Sequence, residues 1–207
     1  MKALIDIIQS IYPLSDESMA LILPYVRKEI YPKNSYIIRP ENLKKEIYFI
    51  ESGLLRINIR WSDKDYILAF MREKDYIPSN CVSFISEIPI FQSLSLSSVQ
   101  DSTIYVLNKK ILDALFWENL EIALFTLKLI NVFLRDAVEG IIRNKCYSPT
   151  ERYKYILNNC PIIFKNLSIN ETASFLGINS VSLSRIRKKI IDEQREKKSE
   201  IMKSITD

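Results

Sequence analysis

Between Leu120 and Lys145 the chain repeats itself. Leu120, Leu127, Leu134 and Ile141 fall seven residues apart, and Ala123, Ile130 and Ala137 stand three after the first three of them. Apolar residues at that spacing form the a and d columns of a coiled-coil seam, here over three heptads. The chain is therefore expected to contain one long helix whose stripe a second copy can cover, with these seven residues as the dimer interface. Packing against the rest of the same chain is the alternative use of such a stripe. Phe125, Phe133 and Val138 supply apolar surface on the opposite side, so one face can meet a twin while the other covers the chain's own core.

The texture differs on either side of that helix. Residues 3 to 30 alternate short apolar-periodic stretches with Pro13 and Pro24, which predicts two or three short helices. From about Tyr31, the stretches SYIIRP, EIYFIESGLLRINIRW, DYILAFM and STIYVL are rich in Ile, Tyr, Phe and Val, with polar breaks between them. That pattern marks several short strands in a sandwich or barrel. In LLRINIRW, Leu55, Ile57 and Ile59 point one way and Arg56, Asn58 and Arg60 the other. Gly53 marks one turn and SDKD at 62–65 another. The strands read as one antiparallel, barrel-like unit ending near Leu107.

Beyond the long helix, Ser148, Pro149 and Glu151 have the form of a capping box with proline in the first turn. A new helix starts there, and Ser148 is the expected domain boundary. Pro161 ends that helix, and Ser168 with Glu171 makes a second capping box. Gly177 stands where a helix-ending left-handed residue belongs. Within ETASFLGINSVSLSRIRKKI, residues 171–190, two short helices flank Gly177-Ile178-Asn179. Ala173 is small where the helices would cross, and Leu176, Ile178, Leu183 and Ile186 form their shared core. This is helix-turn-helix spacing.

The second helix exposes Ser180, Val181, Ser184, Arg185, Lys188 and Lys189, with Asn179 as its N-cap, and these seven are the candidate DNA contacts. Short side chains at its start allow close approach to a groove. Arg185 can fork onto guanine O6 and N7, while the later basic residues hold phosphate. The competing reading is a structural hairpin with a solvated basic face. The final DEQREKKSEIMKSITD is either a frayed helical tail or a phosphate-touching arm of Arg195, Lys197 and Lys198, largely offset by Glu193, Glu196 and Glu200.

Composition excludes more than it assigns. The 207 residues carry a net charge of +4 from 29 basic and 25 acidic side chains, so the distribution of charge has to argue for nucleic acid. There is no histidine, which rules out a histidine-bearing triad, a histidine zinc site and a histidine-ligated haem. Cys81, Cys146 and Cys160 form no CxxC pair and read as reduced thiols in a reducing compartment. Three glycines leave no phosphate-cradling loop. With no nucleophile motif and no paired carboxylates, the expectation is a non-enzyme without a cofactor. No apolar run approaches the roughly 20 residues that span a bilayer. The start lacks a small-residue cleavage site and turns acidic early, which predicts a cytoplasmic protein with no membrane partner.

The order of strand-rich domain, long helix and C-terminal helix-turn-helix resembles the Crp/Fnr family of bacterial transcription regulators. IYFIESGLLRI, DSTIYVL, SPTERYKYIL and ASFLGINSVSLSRIRKKI carry the resemblance, which covers residues 1 to about 191. They are similar to the cyclic-nucleotide-binding-like branch common in Bacteroidetes. The resemblance implies an α+β chain: a jelly-roll β-barrel sensor domain over 1–118, a dimerisation helix over 119–147, and a helical, winged-helix-like helix-turn-helix domain with a charged tail over 148–207. It also implies a homodimer on a near-palindromic duplex and contact with RNA polymerase. By the family's pattern Ser180, Val181 and Arg185 face bases. Only Arg185 keeps the family's common residue, so the resemblance carries the docking mode and not the DNA sequence recognised.

Cyclic-nucleotide binders of that family place Gly-Glu after an Asp-aromatic-aliphatic run, then an arginine in a following turn. The carboxylate accepts the ribose hydroxyl and the guanidinium neutralises the cyclic phosphate. Here the run is DYIPSN, with Pro78 and Ser79 in those places. The arginine place falls near Ser93, and no Lys or Arg occurs from Asp75 through Asn108. Desolvating a phosphate without its cation costs on the order of several kcal/mol, so neither cyclic AMP nor cyclic GMP is expected to bind. An iron–sulfur cluster usually needs four cysteines. Two options remain open. One is a pocket for an uncharged or apolar effector, lined by Tyr76, Ile77, Ser79, Cys81, Val82, Phe84 and Ser93, with Cys81 as a redox handle the minor variant. The other is a barrel that serves only as scaffold. The alternative to a DNA-reading regulator is a small-ligand sensor or protein-interaction module whose helix-turn-helix no longer reads DNA.

Overall fold

Pro13 separates helix α1 (Lys2–Ile11) from α2 (Asp16–Ile22), and Pro24 lies in a single 3-10 turn, Leu23–Tyr25. Ser15 caps α2 by accepting from the Ser18 amide. The next stretch, the tail of the region expected to be helical, is strand β1 (Val26–Tyr31). The structure, a computed structural model, describes residues 1–39, 46–62, 64–77 and 94–206, with side chains through Glu196.

Seven further strands follow: β2 (Tyr36–Ile38), β3 (Glu46–Ser52), β4 (Leu54–Trp61), β5 (Lys64–Arg72), β6 (Tyr76–Ile77), β7 (Leu94–Ser98) and β8 (Ser102–Asn108). They form two antiparallel four-stranded sheets, ordered β1-β8-β3-β6 and β2-β7-β4-β5. Among the described residues no strand pair joins the two sheets, so the expected barrel is not closed. The expected alternation in β4 is present: Ile57 pairs with Leu96 and Ile59 with Leu94, while Arg56 pairs with Ser97 on the other face.

Period-two alternation divides β3 and β8 between two cores. Ile47, Phe49, Tyr105 and Leu107 pack with Leu4, Ile8 and Ile22 of the N-terminal helices and with Ile122 and Phe125. Their neighbours Tyr48, Ile50, Ile104 and Val106 face Leu55 and Leu96 across the gap between the sheets. Because β3 is buried on both faces, its sequence reads as a continuous apolar run.

Helix α3 (Lys109–Phe116) leads to α4 (Leu120–Cys146), which is 27 residues long. Asn119 accepts from the Ile122 amide at 3.0 Å, satisfying one of the orphan donors at the start of α4. Ser15 donates from its backbone N–H (2.9 Å) and its hydroxyl (2.6 Å) to Glu121, holding that carboxyl below its ordinary pKa through hydrogen bonding. Ile122, Phe125 and Leu129 are the buried side of α4. Val138, expected on that side, is 44% exposed and belongs to the free side instead. At 100° per residue it lies about half a turn from Leu129 and in line with Leu120.

The chain divides into two compact units, Met1–Ile141 and Ile142–Asp207, and the boundary falls inside α4. The second unit continues with α5 (Pro149–Asn159), α6 (Ile162–Asn166), α7 (Ile169–Phe175) and α8 (Ser180–Thr206). It holds no strand among its described residues, so the helical part of the winged-helix-like expectation is present and the strands of a wing are not, and α8 runs on to Thr206. No helix among the described residues is long and apolar enough to cross a membrane.

Candidate nucleic-acid interface

Local sequence builds the second unit from its caps. Ser148 accepts from the Glu151 amide while the Glu151 carboxylate accepts from the Ser148 amide at 2.7 Å, and Ser168 with Glu171 repeats the arrangement at 2.9 Å. Both predicted capping boxes are present. Helix α7 ends in a paired turn: the Ile178 amide donates to the Ala173 carbonyl at 2.9 Å and the Gly177 amide to Ser174 at 3.0 Å. This 6→1, 5→2 pattern requires a left-handed residue, and Gly177 supplies it at φ +65. Asn179 then caps α8, its side-chain oxygen accepting from the Ser182 amide at 2.8 Å.

The turn sets α7 and α8 around a small core of Tyr153, Ala173, Leu176, Leu183 and Ile190, with Ile178 and Ile186 packed against it. Sequence reasoning missed two contributors. Tyr153 stacks on Phe164 with ring centroids 4.6 Å apart, and Phe164 comes from α6, a helix not anticipated after Pro161. A five-residue helix is too short to show a period, so only the aromatic residue itself hinted at a core position.

Arg152 fastens the unit from beneath. Its guanidinium donates to the carbonyls of Tyr147 (2.7 Å), Leu176 (2.9 Å) and, more weakly, Asn144 (3.4 Å). It thereby occupies carbonyls at the C-terminal ends of α4 and α7, where a cation also meets the helix dipoles. Arg152→Ala should lower the stability of this unit by about 2–3 kcal/mol, read as an earlier thermal transition by circular dichroism. Arg152→Lys should recover only part, because an ammonium has no planar fork.

Opposite that core, α8 presents the residues singled out from sequence. Val181, Ser184, Arg185, Lys188 and Lys189 are exposed, Asn179 stands exposed at the cap, and Ser180 is half-buried. Leu183, Ile186 and Ile190 occupy the other side of the helix. Val181, Ser184, Arg185 and Lys188 thus share one face of α8, while Ser180 at its start and Lys189 lie toward opposite edges, about half a turn apart. Ser168, Ile169, Asn170, Ser180, Val181 and Ser184 line a shallow groove of about 500 Å³ beside it. Among the described residues no ion pair involves Arg185, Lys188 or Lys189, so their charge is directed outward. Lys154 pairs with Glu193 at 2.7 Å, which binds α5 to α8 and removes one acid from the balance of the tail.

The expected seam on α4 is likewise open. Leu120 is 76% exposed, Leu134 57% and Ile141 61%, and Leu127 and Ala137 are exposed. Ala123 and Ile130 are half-buried at one edge of the face. Val138 and Leu124, absent from the expected set, are exposed at its centre and other edge.

No family model matches the sequence, and no curated protein matches it. Solved structures do. FixK2 from Bradyrhizobium japonicum superposes with a TM-score of 0.65 at 16% identity, over 82% of this chain and 86% of that one. A protein from Eubacterium rectale described as a transcriptional regulator of the crp/fnr family gives 0.66 at 17% identity, over 89% and 88%. CLP from Xanthomonas campestris gives 0.62 at 16% identity, over 87% and 93%. The fold is that of the Crp/Fnr regulators.

In this Crp/Fnr fold the expected effector residues are only partly visible. Ser79, Cys81, Val82, Phe84 and Ser93 lie outside the described residues, as does Pro78. Tyr76 and Ile77 are buried in different cores. The Tyr76 hydroxyl donates to the Leu129 carbonyl at 3.0 Å and its ring packs near Phe49, so it joins β6 to α4. Burial pushes the adjacent Asp75 carboxyl above the usual aspartate range, with Asp136 on α4 adding to the shift.

Proposed function

We propose that the chain is a dimeric, sequence-specific DNA-binding regulator of transcription of the Crp/Fnr type. One observation carries the reading: α8 buries Leu183, Ile186 and Ile190 on one side and leaves Val181, Ser184, Arg185, Lys188 and Lys189 exposed on the other. A hairpin kept only for packing has no use for an uncompensated basic face at the end of a rigid turn. Ser180 and Val181 meet base edges, Arg185 reads a guanine, and Lys188 and Lys189 hold phosphate. Two copies joined along α4 present two such helices to a near-palindromic site, and RNA polymerase is the partner that turns binding into regulation. The sensor domain takes no cyclic nucleotide, since neither the acid nor the arginine of that pocket is in the sequence. CLP, of the same fold, is described as c-di-GMP responsive.

Selection from a random duplex pool, followed by fluorescence anisotropy, tests the reading. A near-palindrome should be enriched, and its affinity should fall steeply with added salt as counterions are released. Arg185→Ala should weaken binding by about 1–3 kcal/mol, roughly 5- to 150-fold. Failure of any duplex to enrich, or binding indifferent to Arg185, would leave the chain as an interaction module.

A further inference from the structure

The free face of α4 does more than repeat leucine. Its exposed centre follows alternating steps of four and three: Leu120, Leu124, Leu127, Asn131, Leu134, Val138. That is the seam of a two-stranded coiled coil, with Leu120, Leu127 and Leu134 in the d column and Leu124, Asn131 and Val138 in the a column. It differs by one column from the spacing the sequence suggested. Ala123, Ile130 and Ala137 become a flank, half-buried at the first two and exposed at Ala137. The opposite side of the helix, with Ile122, Phe125 and Leu129, is occupied by the chain's own core.

From their fractional exposures, the apolar side chains from Leu120 to Ile141 offer roughly 550 Å² per copy. The patch on one copy is at the upper end of what a monomer ordinarily leaves bare, and the pair would bury about 1,100 Å², just past the ~1,000 Å² that a specific interface should clear. Asn131 is the one polar residue in this stripe, and it stands at its middle. The two flanks are unlike. One is Ala123, Ile130 and Ala137; the other is Glu121, Lys128 and Arg135. Glu121 is already held by Ser15, and Arg135 pairs with Asp136 on its own helix. In a parallel pair these charges face the uncharged column, so no ion pair across the seam can set the register.

We infer that Asn131 sets both direction and register: in a parallel, in-register dimer of this chain the two Asn131 carboxamides meet at the two-fold axis, one donating and the other accepting. A slip of one heptad sets each amide against Leu124 or Val138 of the other copy, and an antiparallel pairing sets it against a d-column leucine. Either leaves buried amides without partners. Only the aligned parallel arrangement satisfies both, and that arrangement places the two α8 helices symmetrically. The inference rests on the dimer reading above and adds the residue that orders it.

The test uses the full chain and three measurements: mass by light scattering, the dimer dissociation constant by dilution, and circular dichroism as a check on folding. The wild type should be a dimer. Asn131→Leu should dissociate at least ~10-fold less readily and add species above the dimer, because an all-aliphatic stripe no longer selects one partner number. Asn131→Asp should dissociate at least ~10-fold more readily at neutral pH, because two carboxylates then meet at the axis. A dimeric wild type with both variants within twofold of it in dissociation constant, and unchanged in mass, overturns this inference and spares the dimer reading. A monomeric wild type overturns both.

Discussion

A chain carrying Leu127→Asp together with Leu134→Asp should run as a monomer at micromolar concentration and lose its hold on a palindromic duplex. Both leucines are about half exposed on α4, so in a monomer the new carboxylates stay in water, and such surface changes cost within about 0.5 kcal/mol. In the dimer the balance reverses. Each leucine withdrawn from the seam forfeits about 1.5–3 kcal/mol of burial. Two carboxylates facing each other at ~6 Å repel by about 3 kcal/mol at an effective dielectric of ~20. Four such residues per dimer exceed what a typical interface can lose, so dissociation should rise by more than ~10³-fold. With the monomer, one helix-turn-helix is left to hold one half-site, and the duplex affinity that depended on two is gone. Light scattering and anisotropy read the two effects separately, and unchanged circular dichroism shows that the fold survives. A dimer that persists in this variant would place the subunit contact elsewhere on the surface.

That experiment depends on a distinction the sequence did not draw. The seven-residue recurrence of leucine was plain, but a stripe on a helix has two edges, and which column is central depends on what the helix packs against. Ile122 and Leu129 turn inward because the outer faces of β3 and β8 lie there, an interaction between residues far apart in sequence. Val138 was read on the wrong side for the same reason. By contrast the caps at Ser148, Ser168 and Asn179, and the turn at Gly177, were legible because each is settled by residues within five positions of one another. Strand β1 was missed because its sequence, VRKEIY, belongs to an edge strand whose exposed charges hide the alternation. Strand β7 was missed because LSLSS carries small polar residues on a face that is nevertheless buried. The exposed face of α8 was legible as a surface because helix-turn-helix spacing is contained within twenty residues, whereas the groups proposed to meet Ser180 and Val181 lie outside the chain.

Gly53 joins both kinds of information, and its replacement should be the most damaging single change in the first unit. Its place between two strands marked a turn, but the need for glycine there comes from across the sheet. Asn34, Ser62 and Lys74 show that this chain tolerates side chains at φ +48 to +71, within the left-handed well. Gly53 lies at φ +106, outside it. A Cβ at Gly53 would stand 2.2 Å from the Ser102 Oγ and 2.7 Å from the Ser102 Cα. The first clash could be relieved by a rotamer change, although Ser102 is buried and its hydroxyl donates to the Gln100 carbonyl at 2.7 Å. The second is with backbone, fixed by the pairing of β8 with β3 through Thr103 and Ser52. Gly53→Ala should therefore cost about 3–5 kcal/mol, near the upper end for a single substitution. At roughly 2–4 °C per kcal/mol, its thermal midpoint should fall by about 6–20 °C. Adding Ser102→Gly removes the Oγ and Cβ but leaves the collision with the backbone of residue 102 and the φ angle at residue 53 in place. The double variant should recover part of the loss, and the part that remains measures the strain at the turn itself. Full recovery would show that the side-chain collision alone required the glycine, and an unshifted Gly53→Ala would mean that β3 and β4 can meet by another turn.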